Sequence, residues 1–373
     1  MRIAYVLTSL GVGGAERQVV AVAERMAARG HAVSLVVLRG LQPEEWPTTL
    51  DVYRVEMRKT PASLQASLWR AHHFLRSFQP DLIHSHTFPA NMMARLLHLL
   101  GSLTINRTPP LVCTIHNVYE GSWPRMLAYR FTDPLSHCTT AVSQAAADRY
   151  VRLKAIPAHK CQVLTNGIDL AEFVSDPNRR AHLRAEMGVQ AEFVWLSAGR
   201  IVPAKDYPNL LRAFALVREV VSGVQLWVAG EAFGGESAVV QALAAELGLK
   251  ASVRWLGLRR DMPALLDAAD GFVLASAWEG MPLAVGEAMA MEKPVVATDV
   301  GGVRELVGDK GVIVPPKDRE ALACAMLNMM RSSFEDRHSV GQAVRARIRA
   351  SFSIDAKADE WESLYRKVID NKK

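Results

Sequence analysis

Residues 271–298 read GFVLASAWEGMPLAVGEAMAMEKPVVAT. The stretch opens with an apolar run at 271–275, the length of a buried strand and too short for a helix. The chain then turns through Ser276 to Gly280. Pro282 suits the first turn of a helix, where its missing N–H needs no partner. Helical spacing continues to residue 291, and a second β-branched run follows at 294–297. Strand, helix, strand in that order is the repeating unit of a parallel sheet covered by helices.

The alternation extends in both directions. The second half of the chain predicts further strands at 193–198, 225–229, 253–256 and 311–314, with helices at 207–220, 236–247, 262–268, 282–291 and 318–331. The first half predicts strands at 2–8, 32–38, 81–84, 111–115, 139–142 and 161–164, with helices at 14–29, 62–78, 89–100 and 144–152. A pattern that runs through twice predicts two doubly wound, Rossmann-like α/β domains. The 373 residues are also too many for one ordinary core. The expected division is 1–166 and 167–354. The polar stretch 166–190, with Pro177 and Asn178, is read as a linker plus one short helix. The tail 355–373 carries Ala358, Trp361, Leu364, Tyr365 and Val368 at helical spacing, and is expected to return to the first domain.

Hydrophobic residues make up 50% and charged residues 22%, which excludes disorder, collagen and coiled coil as global descriptions. No window reaches 18 uninterrupted apolar residues, so no spanning helix is expected. The opening apolar run gives way to GVGGAER rather than a small-residue cleavage site, so it is not read as a signal peptide. Cys113, Cys138, Cys161 and Cys324 are scattered without a CxxC pair, which fits neither a disulfide framework nor a zinc site. The expectation is a reduced, cytoplasmic protein. Charge is uneven: residues 1–166 hold 18 Lys/Arg against 10 Asp/Glu, net +8, and the rest is near neutral. A basic half suits an anionic partner such as a phosphorylated substrate or the cytoplasmic face of a membrane.

Ligands of open parallel sheets bind beyond the carboxyl ends of the strands. Three such loops carry chemistry. The first holds Gly11, Gly13 and Gly14 before a helix N-terminus, which offers free N–H groups to an anion. The dinucleotide fingerprint fails here, because its third glycine falls at Glu16. The second loop carries Arg200 and Lys205, a planar fork and a compact charge that both suit phosphate oxygens. The third is 276–290, with Glu279 at a helix mouth, Gly280 and Pro282 either side of Met281, the N–H groups of Met281 and Leu283 open to a phosphate, and Glu287 on the helix. His84 and His86 alternate at a strand end and so face one side; a metal there would need a third ligand. The segments 61–79 and 91–107, with Trp69, Arg70, Arg76, Arg95 and a run of Met and Leu, read as amphipathic core helices or as faces for a membrane surface.

Glu279 and Glu287 form E-x7-E inside EGMPLAVGEAMAMEKPVVATDVGGVREL. With SAGRIVPAKDYPNLLRAF before it and GGAERQV near the start of the chain, it makes the chain resemble glycosyltransferase family 4 from Met1 to the terminal helix. The resemblance implies a retaining nucleotide-sugar transferase of GT-B fold, its two domains facing a central cleft. It implies that Glu287 binds the donor ribose, that Glu279 lies near the donor sugar, and that Arg200 and Lys205 hold the diphosphate. Gly13 and Gly14 would approach from the first domain, and His116 would lie beside the transferred sugar. Asn117 departs from the His-Asp common in the family, and Met281-Pro282-Leu283 replaces the longer Gly…Leu-Pro form, which bears on donor-sugar selectivity.

No D-x-D occurs, so no carboxylate pair presents itself for a metal–diphosphate, and no cofactor or metal is expected. The function expected is transfer from a nucleotide-diphosphate donor, a UDP-sugar, to a hydroxyl acceptor such as a glycan or lipid-linked glycan. A sugar-nucleotide epimerase and an inactive sugar-binding subunit are the alternatives. Nucleic acid is not an expected partner, for no groove-reading helix or aromatic platform appears.

Overall fold

The structure, a computed structural model, describes residues 1–371 except 12, 41–44, 59, 105–107 and 232–234. In chain order the first elements are β1 (Arg2–Leu7), α1 (Gly14–Ala28), β2 (Ala32–Val37), β3 (Asp51–Arg54), α2 (Pro61–Phe78), β4 (Leu82–His86) and α3 (Phe88–Thr104). Then come β5 (Leu111–Ile115), α4 (Trp123–Thr132), β6 (Cys138–Ala141), α5 (Gln144–Arg152) and β7 (Cys161–Val163). A second series holds α6 (Pro177–Glu186), β8 (Val194–Ala198), α7 (Tyr207–Val220), β9 (Gln225–Ala229), α8 (Glu236–Glu246), β10 (Val253–Gly257) and α9 (Met262–Ala268). It continues with β11 (Gly271–Leu274), α10 (Leu283–Ala290), β12 (Val295–Thr298), α11 (Val303–Val307), β13 (Val312–Val314), α12 (Arg319–Arg331) and α13 (Phe334–Ser351), and α14 (Ile354–Asp370) closes the chain. Two compact units result: Met1–Gly167 with Ile354–Lys373, and Ile168–Ser353.

The first unit is a seven-stranded parallel sheet in the order β3-β2-β1-β4-β5-β6-β7. β1, β4 and β5 are almost wholly buried, which is why they read as unbroken apolar runs rather than as alternation. One face is covered by α1 and α14. Val19, Val22 and Met26 of α1 share a core with Ile354, Trp361, Leu364 and Tyr365 of α14. The other face is covered by α2 and α3, through Ala71, Leu75, Met93 and Leu97. The second unit is a six-stranded parallel sheet in the order β10-β9-β8-β11-β12-β13. Trp195, Leu210, Phe214, Val273, Val296 and Met326 are among its core side chains.

Four elements were not expected: β3, α4, α11 and α13. β3 is an edge strand of four half-exposed residues, so no apolar run marks it. α4 buries little besides Tyr129, and its other large side chains are partly or fully exposed. α13 buries only Gly341, Val344 and Ile348, a stripe too narrow to read. The charges of 177–184, read as linker polarity, are a clamp. Arg179 Nε donates to Asp267 Oδ2 at 2.6 Å, and Arg180 and Arg184 pair with the two oxygens of Asp270. Arg95, read as part of a candidate basic face, is fully buried, donating to the Tyr129 carbonyl at 2.9 Å and Thr132 Oγ1 at 2.8 Å.

Candidate active site

In the second unit the chain winds outward from β8 in one direction and from β11 in the other. These two strands are neighbours, so the sheet's switch point lies between them. The loops leaving their carboxyl ends are 199–206 and 275–282, the two that carry the cationic and acidic residues. Crevices at such points are where open α/β sheets bind ligands.

Backbone contacts fix both loops. Ala277 N donates to the Ala204 carbonyl at 2.8 Å, tying one loop to the other. The Tyr207 hydroxyl donates to the Gly199 carbonyl at 2.7 Å. Asp206 takes a left-handed conformation and caps α7, accepting from Asn209 N. On the acidic side Gly302 N donates to the Gly280 carbonyl at 2.7 Å. Gly301 has φ +55°, and a Cβ there would collide with the Glu279 carbonyl oxygen. The Gly301-Gly302 turn is therefore pressed onto the Glu279 backbone, a contact only glycine permits.

The side chains converge on Glu279. Its Oε1 accepts from Lys205 Nζ at 2.5 Å and from Ser276 Oγ at 2.6 Å, and the residue is 7% exposed. Arg200 is exposed and makes no ion pair among the described residues. α10 begins at Leu283 with Pro282 as its N-cap, so Gly280, Met281, Pro282 and Leu283 form the approach to its positive end. Glu287 is buried on the fifth residue of that helix. Sequence reasoning placed Lys205 and Glu279 each in a loop after a strand, but missed that the two strands are neighbours and that the residues form one buried pair. Ser276, three residues before Glu279, was the available signal for the third member.

In the first unit the switch point lies between β1 and β4. Thr8 and Thr87, just beyond them, share a hydrogen bond of 3.0 Å. Gly13 is the N-cap of α1 with φ −120°, so its conformation does not need glycine. A Cβ there would meet only the Glu16 carboxylate, the movable end of a side chain that folds back over the first turn. Gly14 is the first residue of α1.

His116 follows β5 and is joined to the neighbouring strand end, with His86 Nδ1 and His116 Nε2 3.0 Å apart. His86 packs against His84, whose ring bonds the Tyr365 hydroxyl and Thr114 Oγ1, each at 2.7 Å. A small cavity beside these histidines is also lined by Gln18, Thr165 and Asn166. Burial lowers the His116 pKa to about 4, and it holds His84 and His86 well below the usual range. All three rings are neutral at pH 7. His84 is fully buried against Trp361 and Tyr365, and among the described residues no group of three or more His, Cys, Asp or Glu could hold a metal ion. The 116–120 loop is closed by Glu120, which accepts from His116 N at 3.2 Å and from the Tyr129 hydroxyl at 2.8 Å. Burial raises its pKa to about 7 against the lowering effect of those bonds. Sequence reasoning missed Glu120 and Tyr365.

Residues 12–172 match the family model described as Glycosyltransferase Family 4, and residues 192–332 the one described as Glycosyl transferases group 1. The Escherichia coli UDP-Gal:alpha-D-GlcNAc-diphosphoundecaprenol alpha-1,3-galactosyltransferase is 25% identical over 320 residues, 82% of this chain and 80% of the relative. The D-inositol 3-phosphate glycosyltransferase of Segniliparus rotundus is 28% identical over 356 residues, 91% of this chain and 75% of the relative. Among solved structures, Anabaena HepE in complex with UDP and glucose superposes with a TM-score of 0.84 at 22% identity, covering 98% of this chain and 99% of that one. A glycosyltransferase from Rickettsia africae gives 0.83 at 20% identity, covering 99% of each chain. These likenesses show the fold, two Rossmann-like domains of the GT-B class. Since the two matched segments between them take in most of the chain and leave neither unit out, the chain belongs to the group 1, family 4 glycosyltransferases.

Proposed function

We propose that the protein transfers a sugar, with retention of anomeric configuration, from a UDP-sugar to a hydroxyl of a lipid-linked glycan in polysaccharide assembly at the cytoplasmic face of a membrane. The observation that carries this reading is the Lys205–Glu279 pair at the switch point, with Arg200, which has no ion pair among the described residues, in the same loop as Lys205. The E. coli relative, named for a UDP-Gal donor and a diphosphoundecaprenol-linked acceptor, supports the donor and acceptor classes. HepE, solved with UDP and glucose, supports the donor.

On this reading Arg200 and Lys205 hold the diphosphate, aided by the N–H groups of Met281 and Leu283 at the start of α10. Glu279 orients Lys205 and reaches the donor sugar, and Glu287 receives the ribose hydroxyls. Gly13, Gly14 and the neutral His116 are the first unit's candidates for contact with the sugar; a neutral imidazole can donate one hydrogen bond and accept another. As the bond from the anomeric carbon to the β-phosphate oxygen breaks, its electron pair stays on that oxygen. The acceptor oxygen attacks from the same face, and its proton passes to the departing phosphate oxygen. The products are the glycoside and UDP, and no side chain becomes a covalent nucleophile. Arg200, Lys205 and the helix end neutralise the charge that grows on the diphosphate, so no metal ion is required.

The test is a screen of UDP-, GDP-, ADP- and TDP-sugars by thermal shift and by slow donor hydrolysis, with and without EDTA. A UDP-sugar alone should stabilise the protein and release UDP at an EDTA-resistant rate. Stabilisation by none of the four refutes the donor site; loss of turnover in EDTA refutes the metal-free mechanism.

A further inference from the structure

We propose that Glu120 is a positioning residue for His116: its carboxylate fixes the loop between β5 and α4 that carries the imidazole. The loop closes on itself. Asn117 Oδ1 accepts from Tyr119 N at 3.1 Å, and the Glu120 side chain folds back so that Oε1 accepts from His116 N at 3.2 Å. Gly121 has φ +120°, and Arg125 donates to the Glu120 carbonyl, which steers the chain into α4. The second carboxyl oxygen, Oε2, accepts from the Tyr129 hydroxyl at 2.8 Å. Tyr129 is itself anchored. Asn91 Nδ2 donates to its hydroxyl and to the Thr114 carbonyl, each at 3.0 Å, and Asn91 Oδ1 accepts from Ser85 Oγ at 2.7 Å. One carboxyl thus ties the His116 amide, through Tyr129 and Asn91, to β4 and β5.

An acid at this position is costly. Among the described residues no ion pair neutralises Glu120: Arg125 bonds its backbone carbonyl and acts on the carboxyl only at a distance. A glutamine would offer His116 N the same acceptor without the cost of burying a charge. What the acid adds is a second state. The groups that face it are Tyr129 and Arg125 of α4, Tyr150 of α5 and His116 of its own loop. Burial raises both tyrosines and lowers His116 to about 4, so none of these three changes charge near pH 7, where Glu120 does. Both carboxyl oxygens meet a donor. As a carboxylate Glu120 holds both with charge-assisted bonds. Protonation makes one oxygen a donor, which breaks one bond or turns Tyr129 round. The ionised form therefore fixes His116 and the protonated form loosens it. Turnover should rise with pH through about 7 while the stability contribution of the same group falls, a split that a purely structural acid would not give. The inference rests on the reading of His116 as a residue beside the sugar.

The experiment follows the full chain, labelled with nitrogen-15 at histidine, by NMR from roughly pH 5.5 to 8.5. The His116 amide, identified by its loss in His116→Gln, should move downfield as pH rises through about 7 and should stay in place in Glu120→Gln. An amide that does not titrate, or that titrates alike in both proteins, overturns the proposal. Over the same range kcat for hydrolysis of UDP-glucose and UDP-galactose should rise in the wild type. In Glu120→Gln it should be about fivefold lower at the alkaline end and show no step, and in Glu120→Ala at least about tenfold lower. Kd for UDP should be unchanged in both variants, because the residues assigned to UDP lie in the second unit. Matching pH profiles of kcat in the wild type and Glu120→Gln would make the carboxyl a structural tie only, and also overturn the proposal. Failure of the wild type to bind UDP refutes the donor reading instead, and the amide titration then decides whether Glu120 holds His116.

Discussion

Removing the Lys205 ammonium separates two roles that the structure gives it. Glu279 is 7% exposed, and its Oε1 has two donors, Lys205 Nζ and Ser276 Oγ. Lys205→Ala leaves a nearly buried carboxylate with one hydroxyl. Breaking a fully buried pair costs about 3–5 kcal/mol. The Lys205 side chain is 19% exposed, so water screens part of the interaction, and about 2–3 kcal/mol is expected. For a domain of this size that lowers Tm by roughly 5–10 °C. Glu279→Gln in the same chain should restore most of the loss, since the amide no longer requires a counter-charge. Catalysis should behave differently. If Lys205 neutralises the diphosphate, its removal lowers kcat by about 10²–10³, the range for losing one preorganised donor to a developing anion. That factor should persist in the Glu279→Gln background. Thermal unfolding and steady-state turnover of the four proteins complete the cycle. If Lys205→Ala no longer lowers kcat once Glu279 is Gln, Lys205 is only the counter-ion of Glu279, and the diphosphate role fails.

Gly301→Ala should lower kcat/KM for donor at least about tenfold, because the new Cβ displaces the Glu279 carbonyl, while strain in the left-handed region costs about 1–2 kcal/mol. Gly308→Ala, also at positive φ but meeting only the Arg347 side chain, should lower Tm and spare turnover; equal losses of turnover would disprove the positioning. Glu120 is raised from 4.5 to about 7 by burial, so the folded state binds its proton more tightly than the unfolded chain does. Its stability contribution is complete below pH 4.5 and is lost as pH rises through 7. Subtracting the urea stability of Glu120→Gln from that of the wild type between pH 4.5 and 8 should leave a curve that falls with pH; a flat or rising difference contradicts the burial. Tyr365→Phe removes the bonds to His84 at 2.7 Å and Tyr5 at 3.1 Å and should cost about 2–3 kcal/mol in denaturant unfolding, with a loss below 0.5 kcal/mol counting against the network.

What could be read from the residues follows from burial. β8, β11 and β12 are buried along their length, so they appear as uninterrupted apolar runs, and the loops after β8 and β11 could be found by counting from them. Arg200, Lys205, Glu279 and Glu287 stood out for that reason. α4 could not be found so, because its large apolar residues point outward and its buried ones are few. The acidic site's support was also hidden. Gly301 lies twenty-two residues beyond the Glu279 carbonyl it packs against, and Tyr365 lies 281 residues from the His84 ring it bonds. No period in the sequence encodes such a pairing. At Gly13 the glycine was visible, but nothing local demands it: the backbone is ordinary, and the Glu16 carboxylate over it can move aside.

The wall that α14 supplies to the first sheet bears on the order in which the protein can be made. Ile354, Trp361, Leu364 and Tyr365 are buried there, and at about 2 kcal/mol for each large side chain their removal costs on the order of 8 kcal/mol, much of the stability of an ordinary domain. During synthesis residues 1–167 emerge first, but the part of their sheet that α14 covers stays bare until residues 354–370 have left the ribosome. The second unit, contiguous at 168–353, is by then complete. The first unit to be translated is thus the last to finish folding, and it waits with apolar surface exposed for the time needed to add nearly two hundred residues, about ten to forty seconds at ordinary elongation rates.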